Sequence, residues 1–185
     1  MKRPKRYPDD FERGWLKMKA PIPDADLAEI VRAVGALLDS PKNVQLASRR
    51  CLRAMYRNDI EDEILDATIG IEALLSQGRD ELTHRMSLRA AAALANDYRS
   101  DAIYNLIKQV YGQRSQIVHG STPKNSVVKF EDTEFGANHI GIFLLRQLLK
   151  SRLLAEEPWT AESLDALIIR RLGQTDPASP GPVET

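Results

Sequence analysis

Ile103-Tyr104-Asn105-Leu106-Ile107-Lys108-Gln109-Val110-Tyr111-Gly112-Gln113-Arg114-Ser115-Gln116-Ile117-Val118-His119-Gly120 is the stretch whose reading decides the fold. Ile103, Leu106, Ile107 and Val110 recur three and four apart, and Ile117 and Val118 follow. That is the spacing of one helix face, not the alternation of a strand. Gly120 stands where such a helix would stop. The next core-facing position after Val110 is 114, and it holds an arginine. A guanidinium stays charged and is costly to bury alone, so leucine would serve stability better there. Arg114 therefore calls for a partner or a ligand.

The same period extends outward in both directions. From Asp24, an N-cap residue, Leu27, Ile30, Val31, Val34, Leu37 and Leu38 keep helical spacing until Ser40-Pro41. Further helices are predicted over about 42–57, 59–77, 80–97 and 134–156, and from Thr160 through Leu172. The helix from 59 opens on Asp59, Glu61, Asp62 and Glu63, which suit the positive end of a helix dipole. Glu81 and Arg85 are spaced for an i,i+4 pair. Ala90–Ala93 offer a face that a neighbouring helix can approach closely. Ile140, Phe143, Leu144, Leu148, Leu149 and Leu153 make a broad apolar face, which suggests a central helix. Residues 120–133 read as a loop, with one short extended piece at Val127–Phe130. Gly70, Gly112 and Gly136 read as packing points or turns. The fold class is all-α: a helical bundle over 24–172, flanked by an irregular basic arm over 1–23 and a disordered tail over 173–185. Trp15 is a candidate anchor for that arm.

With 185 residues and 43% apolar content the chain can build a real core. Its single cysteine, Cys51, allows no intrachain disulfide and reads as a small buried hydrophobe. No apolar run approaches the ~20 residues that span a bilayer, and no apolar stretch follows the basic start. A cytoplasmic protein that does not engage a membrane is the expectation. The net charge is zero but unevenly spread: residues 1–58 carry 13 Lys/Arg against 7 Asp/Glu, and residues 59–97 carry 3 against 9. A basic face on a neutral molecule is thus possible, short of what a duplex-DNA binder carries.

The residue types around 114 suit phosphodiester chemistry. A guanidinium fork binds phosphate oxygens and the charge that grows on them. An imidazole such as His119 can take a proton from a ribose hydroxyl or give one to a leaving oxygen. RNA carries its own 2′-hydroxyl nucleophile, so neither metal nor cofactor is called for. On an ideal helix, five steps of ~100° leave Arg114 and His119 ~140° apart, so a second copy is one route to a compact site. Glu72, in the apolar run Ile69–Leu75, is a candidate ion-pair partner for Arg114 or a residue that orients it. Arg49, Arg53 and Arg57 share one helix face beside Arg50, a candidate RNA-binding ridge or a solvated face paired with nearby acids. His84, His119 and His139 lack metal-ligand spacing, and no phosphate-cradling glycine loop or GxSxG occurs.

Three pieces together resemble the HEPN superfamily, in particular its ApeA-like branch. They are Arg57-Asn58-Asp59 through Ile71-Glu72-Ala73-Leu74-Leu75, Glu81-Leu82-Thr83-His84-Arg85 into Leu88-Arg89-Ala90-Ala91, and Tyr111 through Arg114-Ser115-Gln116-Ile117-Val118-His119-Gly120. The resemblance implies a helical homodimer whose Arg and His motifs meet at the interface. It implies metal-independent endoribonuclease activity, used in phage defence or toxin–antitoxin systems, with Arg114 and His119 catalytic. Glu72, Tyr111 and Ser115 would support them. RNA would be the substrate, and an antitoxin or other protein a candidate partner. The competing reading is a catalytically silent dimer that binds RNA, a nucleotide or a protein.

Overall fold

Most of the spans with helical periodicity are helix in a computed structural model that describes residues 23–76, 83–120, 126–130 and 133–173. The elements are α1 (Asp24–Leu38), α2 (Lys42–Met55), α3 (Ile60–Leu75), α4 (Thr83–Ala93), α5 (Ser100–Val118), β1 (Val127–Phe130), β2 (Thr133–Gly136), α6 (Ala137–Leu154) and α7 (Ala161–Gly173). The fold is all-α, with one antiparallel two-stranded ribbon that pairs Val127 with Gly136 and Phe130 with Thr133.

Local chemistry sets the ends. Asp59 caps α3 by accepting a hydrogen bond from the Asp62 amide, and three acids fill the first turn. Thr160 and Ser163 cap α7 reciprocally: Thr160 Oγ1 accepts from the Ser163 amide, and Ser163 Oγ from the Thr160 amide. Gly120 ends α5 at φ 73°, a conformation that costs glycine little.

Helix α6 is central, touching α1 through α5. It runs alongside α3 in the same direction. Glu63 accepts from Asn138, Gly141 sits over Ala67, and Gly70 faces Leu145. A Cβ on Gly70 would stand 2.5 Å from Leu145 Cδ2, so close contact of α3 and α6 requires glycine. The core between them holds Ile64, Ile71, Leu75, Ile107, Val110, Leu144, Leu145 and Leu148, all buried. Each such side chain contributes about 1.5–3 kcal/mol. Cys51 belongs to this core, and burial pushes its thiol upward. Ala90 and Ala91 are buried where α4 meets its neighbours, as their size suggests. Gln109 of α5 holds the ribbon: its Nε2 donates to the Lys129 carbonyl and its Oε1 accepts from the Lys129 amide.

Four expectations are corrected. The helix read from 134 begins at Ala137, because Thr133–Gly136 pairs with β1 instead. Gly112 is neither a packing point nor a turn; a Cβ there would meet nothing within 4 Å. Helix α7 runs one residue into the expected tail, to Gly173. The helix read over about 80–97 ends at Ala93, with turns over 94–97. Trp15, the arm before residue 23, Glu81 of the Glu81–Arg85 pair and the tail from 174 lie outside the described residues. Among the described residues no helix is long and apolar enough to cross a membrane.

Candidate functional site

Helices α3 and α5 lie side by side in the same sense, which brings Glu72 to Arg114. Arg114 Nη2 stands 3.6 Å from Glu72 Oε1, with the side chains 36% and 31% exposed. Arg114 is therefore at the rim of the core rather than inside it. The apolar stripe it interrupts is already loosening there: Val110 is fully buried, Ile117 partly, and Val118 is 55% exposed. The guanidinium is nevertheless poorly satisfied. Its Nε is buried and donates to nothing among the described residues, and the buried Oε1 of Gln113 accepts nothing. Such orphaned groups cost free energy unless something meets them.

Tyr111 is buried one turn earlier. Its hydroxyl donates to the Thr68 carbonyl at 3.3 Å and lies 3.4 Å from Met86 Sδ. Burial, reinforced by Glu72 and opposed by Arg114, holds the phenol well above its usual range. Tyr111 is thus a protonated wall behind the Glu72–Arg114 pair, with its hydroxyl turned to α3 and α4. Ser115 is exposed, and its carbonyl accepts the His119 amide. His119 caps α5, exposed to solvent. The helix is intact to Val118, so the ~140° between Arg114 and His119 is kept. Among the described residues no hydrogen bond joins them.

The basic ridge divides in two, and the shared helix face read for Arg49, Arg53 and Arg57 is corrected: α2 ends at Met55, so Arg57 lies beyond it. Arg57 Nε donates to Asp66 and its Nη1 lies 3.3 Å from Asp62, while Arg50 holds the other oxygen of Asp66. Burial disfavours the charged form of Asp66, but the hydrogen bonds from Arg50 and Arg57 outweigh it and hold the carboxyl below its usual range. Arg57 is thus an ion-pair residue; Arg49 and Arg53 remain as exposed cations.

The largest surprise is Arg89 of α4, fully buried. Its Nε and Nη2 donate to the two carboxylate oxygens of Asp165 in α7 at 2.8 Å each, and Nη1 donates to the Leu75 carbonyl that ends α3. It interrupts the stripe Met86, Ala90, Ala93 just as Arg114 interrupts its own, a signal the alanine run conceals. A groove of about 640 Å3 between α4, α6 and α7, lined by Tyr98, Lys150, Trp159 and Arg171, takes in none of the nominated residues. Among the described residues no cluster of three His, Cys, Asp or Glu could hold a metal. No family model, no curated protein and no solved structure matches the chain.

Proposed function

We propose that the chain is a metal-independent endoribonuclease of HEPN type whose site forms when Arg114 and His119 of two copies meet. The observation that carries this reading is Arg114 itself. Its side chain is about a third exposed, holds one long ion pair and keeps an unmatched buried Nε, beside an exposed imidazole at the same helix end. A phosphate oxygen would engage the exposed end of the guanidinium, of which Glu72 meets one nitrogen at 3.6 Å. In this reading the ribose 2′-oxygen attacks phosphorus, one His119 takes its proton, and the P–O5′ bond breaks. The His119 of the second copy returns a proton to the leaving 5′-oxygen, giving a 2′,3′-cyclic phosphate and a 5′-hydroxyl. Arg114 neutralises the charge on the non-bridging oxygens. Glu72 fixes the guanidinium plane.

The test is cleavage of single-stranded RNA in EDTA by the wild type, Arg114→Ala and His119→Ala. Each variant should lose at least about 100-fold in rate. Mixing the two variants should not restore activity, because a hybrid pair keeps only one of the two His119 imidazoles that the step uses. Equal cleavage by all three preparations, or none by the pure wild type, would end the proposal. The angle between Arg114 and His119 favours one alternative, a silent module in which Arg114 alone binds an RNA phosphate. That reading predicts RNA binding that Arg114→Ala weakens and His119→Ala leaves unchanged.

A further inference from the structure

Helix α1 has no buried residue. It rests on α6 and α2 through Leu37 and through an ion pair between Glu29 and Lys150 at 2.9 Å. Its outer face leaves Leu27, Ile30, Val31, Val34 and Leu38 between 48% and 75% exposed. Lone exposed leucines are ordinary, but five apolar side chains in one stripe of one helix are not. Leu27, Val31, Val34 and Leu38 are spaced four, three and four apart, the step that keeps a seam straight along a facing helix.

We propose that this face of α1 is covered by the same face of a second copy, the two helices antiparallel about a twofold axis between Arg32 and Ala33. That register sets Leu27 against the partner's Leu38, and Val31 against the partner's Val34, so one stripe complements itself. No charged residue lies within the stripe, so closing the seam strands no ion. Five side chains with roughly 100 Å2 exposed each remove on the order of 1,000 Å2 of apolar surface from two copies. With the polar flanks of the seam added, the total reaches about 1,200 Å2, the lower edge of stable specific contacts. The seam is separate from the pairing invoked for RNA cleavage and does not rest on it: α1 touches α6 and α2, whereas Arg114 stands with α3 and the end of α5.

The measurement is assembly mass by sedimentation equilibrium of the full chain, wild type against Val31→Asp/Leu38→Asp. Both positions are more than 60% exposed, so the subunit should still fold, its melting point falling only by the concentration-dependent share that association adds to the wild type. The double aspartate should halve the mass, whether dimer to monomer or tetramer to dimer, and weaken association by roughly 100-fold or more. A Leu27→Cys/Leu38→Cys chain should form disulfide-linked pairs on mild oxidation; its two sulfurs are three turns apart within one helix and cannot join each other. A monomeric wild type up to ~100 µM, or an assembly whose mass survives both aspartates, overturns the seam. So does a monomeric variant that melts several degrees below wild type diluted until it too is monomeric, since the stripe would then be covered from within the chain. Absence of RNA cleavage bears on the other proposal and leaves this one standing.

Discussion

Arg89 and Arg114 occupy equivalent places in their helices and have opposite fates. Each breaks an apolar stripe, and each faces a carboxylate on a neighbouring helix. Arg89 is fully buried, engages both oxygens of Asp165 and closes the carbonyl end of α3. Arg114 is a third exposed, reaches Glu72 at 3.6 Å through one nitrogen and leaves Nε unmatched. A saturated guanidinium ties α4, α3 and α7 together and has nothing left to offer a ligand. An undersaturated one contributes little to folding and keeps donors for something else.

The comparison breaks most readily at Arg89. Arg89→Ala should cost about 3–5 kcal/mol in chemical denaturation, because the Leu75 carbonyl loses its buried donor and Asp165 keeps only Arg85, at 3.6 Å. A loss below about 1 kcal/mol would make the two arginines alike. Next in size is Gly70→Ala, which presses a methyl against Leu145 and should cost about 1–3 kcal/mol with no bearing on either arginine; it calibrates what core disruption looks like in the same assay.

Acid sharpens the contrast. The hydrogen bonds from Arg89 hold the Asp165 carboxyl below its ordinary value of 3.8 despite partial burial. A depressed folded-state value means stability that is present above the ordinary value and lost as pH falls through the lower one. Melting temperature should therefore drop below about pH 4, and Asp165→Asn, weaker at neutral pH, should converge with the wild type in acid. Asp66, held low by Arg50 and Arg57, adds to the same fall. Persistence of the full gap between wild type and Asp165→Asn at pH 2 would refute the ion-pair account of the clamp. The smallest effect belongs to Arg114→Ala, which should change stability by less than about 1 kcal/mol while removing RNA cleavage. A loss as large as that of Arg89→Ala would make Arg114 a second clamp and leave the nuclease proposal without its main support.

Much of the fold was legible because helix periodicity is a local property. The spans of α2, α3 and α5 follow from their own stripes and end signals. What a stripe cannot say is which body covers it: α1 carries helical spacing like that of the buried helices, yet most of its stripe faces outward. Thr133–Gly136 was missed because a short apolar-poor segment becomes strand only through its pairing with β1. At the site, the Glu72–Arg114 pairing follows from two charges in two apolar runs. Tyr111 turned out to face Thr68 and Met86, since a hydroxyl's direction depends on neighbours remote in sequence. Arg89 could have been found by the reasoning applied to Arg114, had the small alanines around it registered as a buried face.

The amide of Gln109 grips both backbone groups of Lys129 and so acts as a one-residue substitute for a missing third strand. A two-stranded ribbon is otherwise an open template on which a stranger's chain can extend itself. Here the vulnerable rim is occupied at its midpoint by a side chain of the same molecule. Crowded together, these proteins have less opportunity to knit into aggregates through that ribbon.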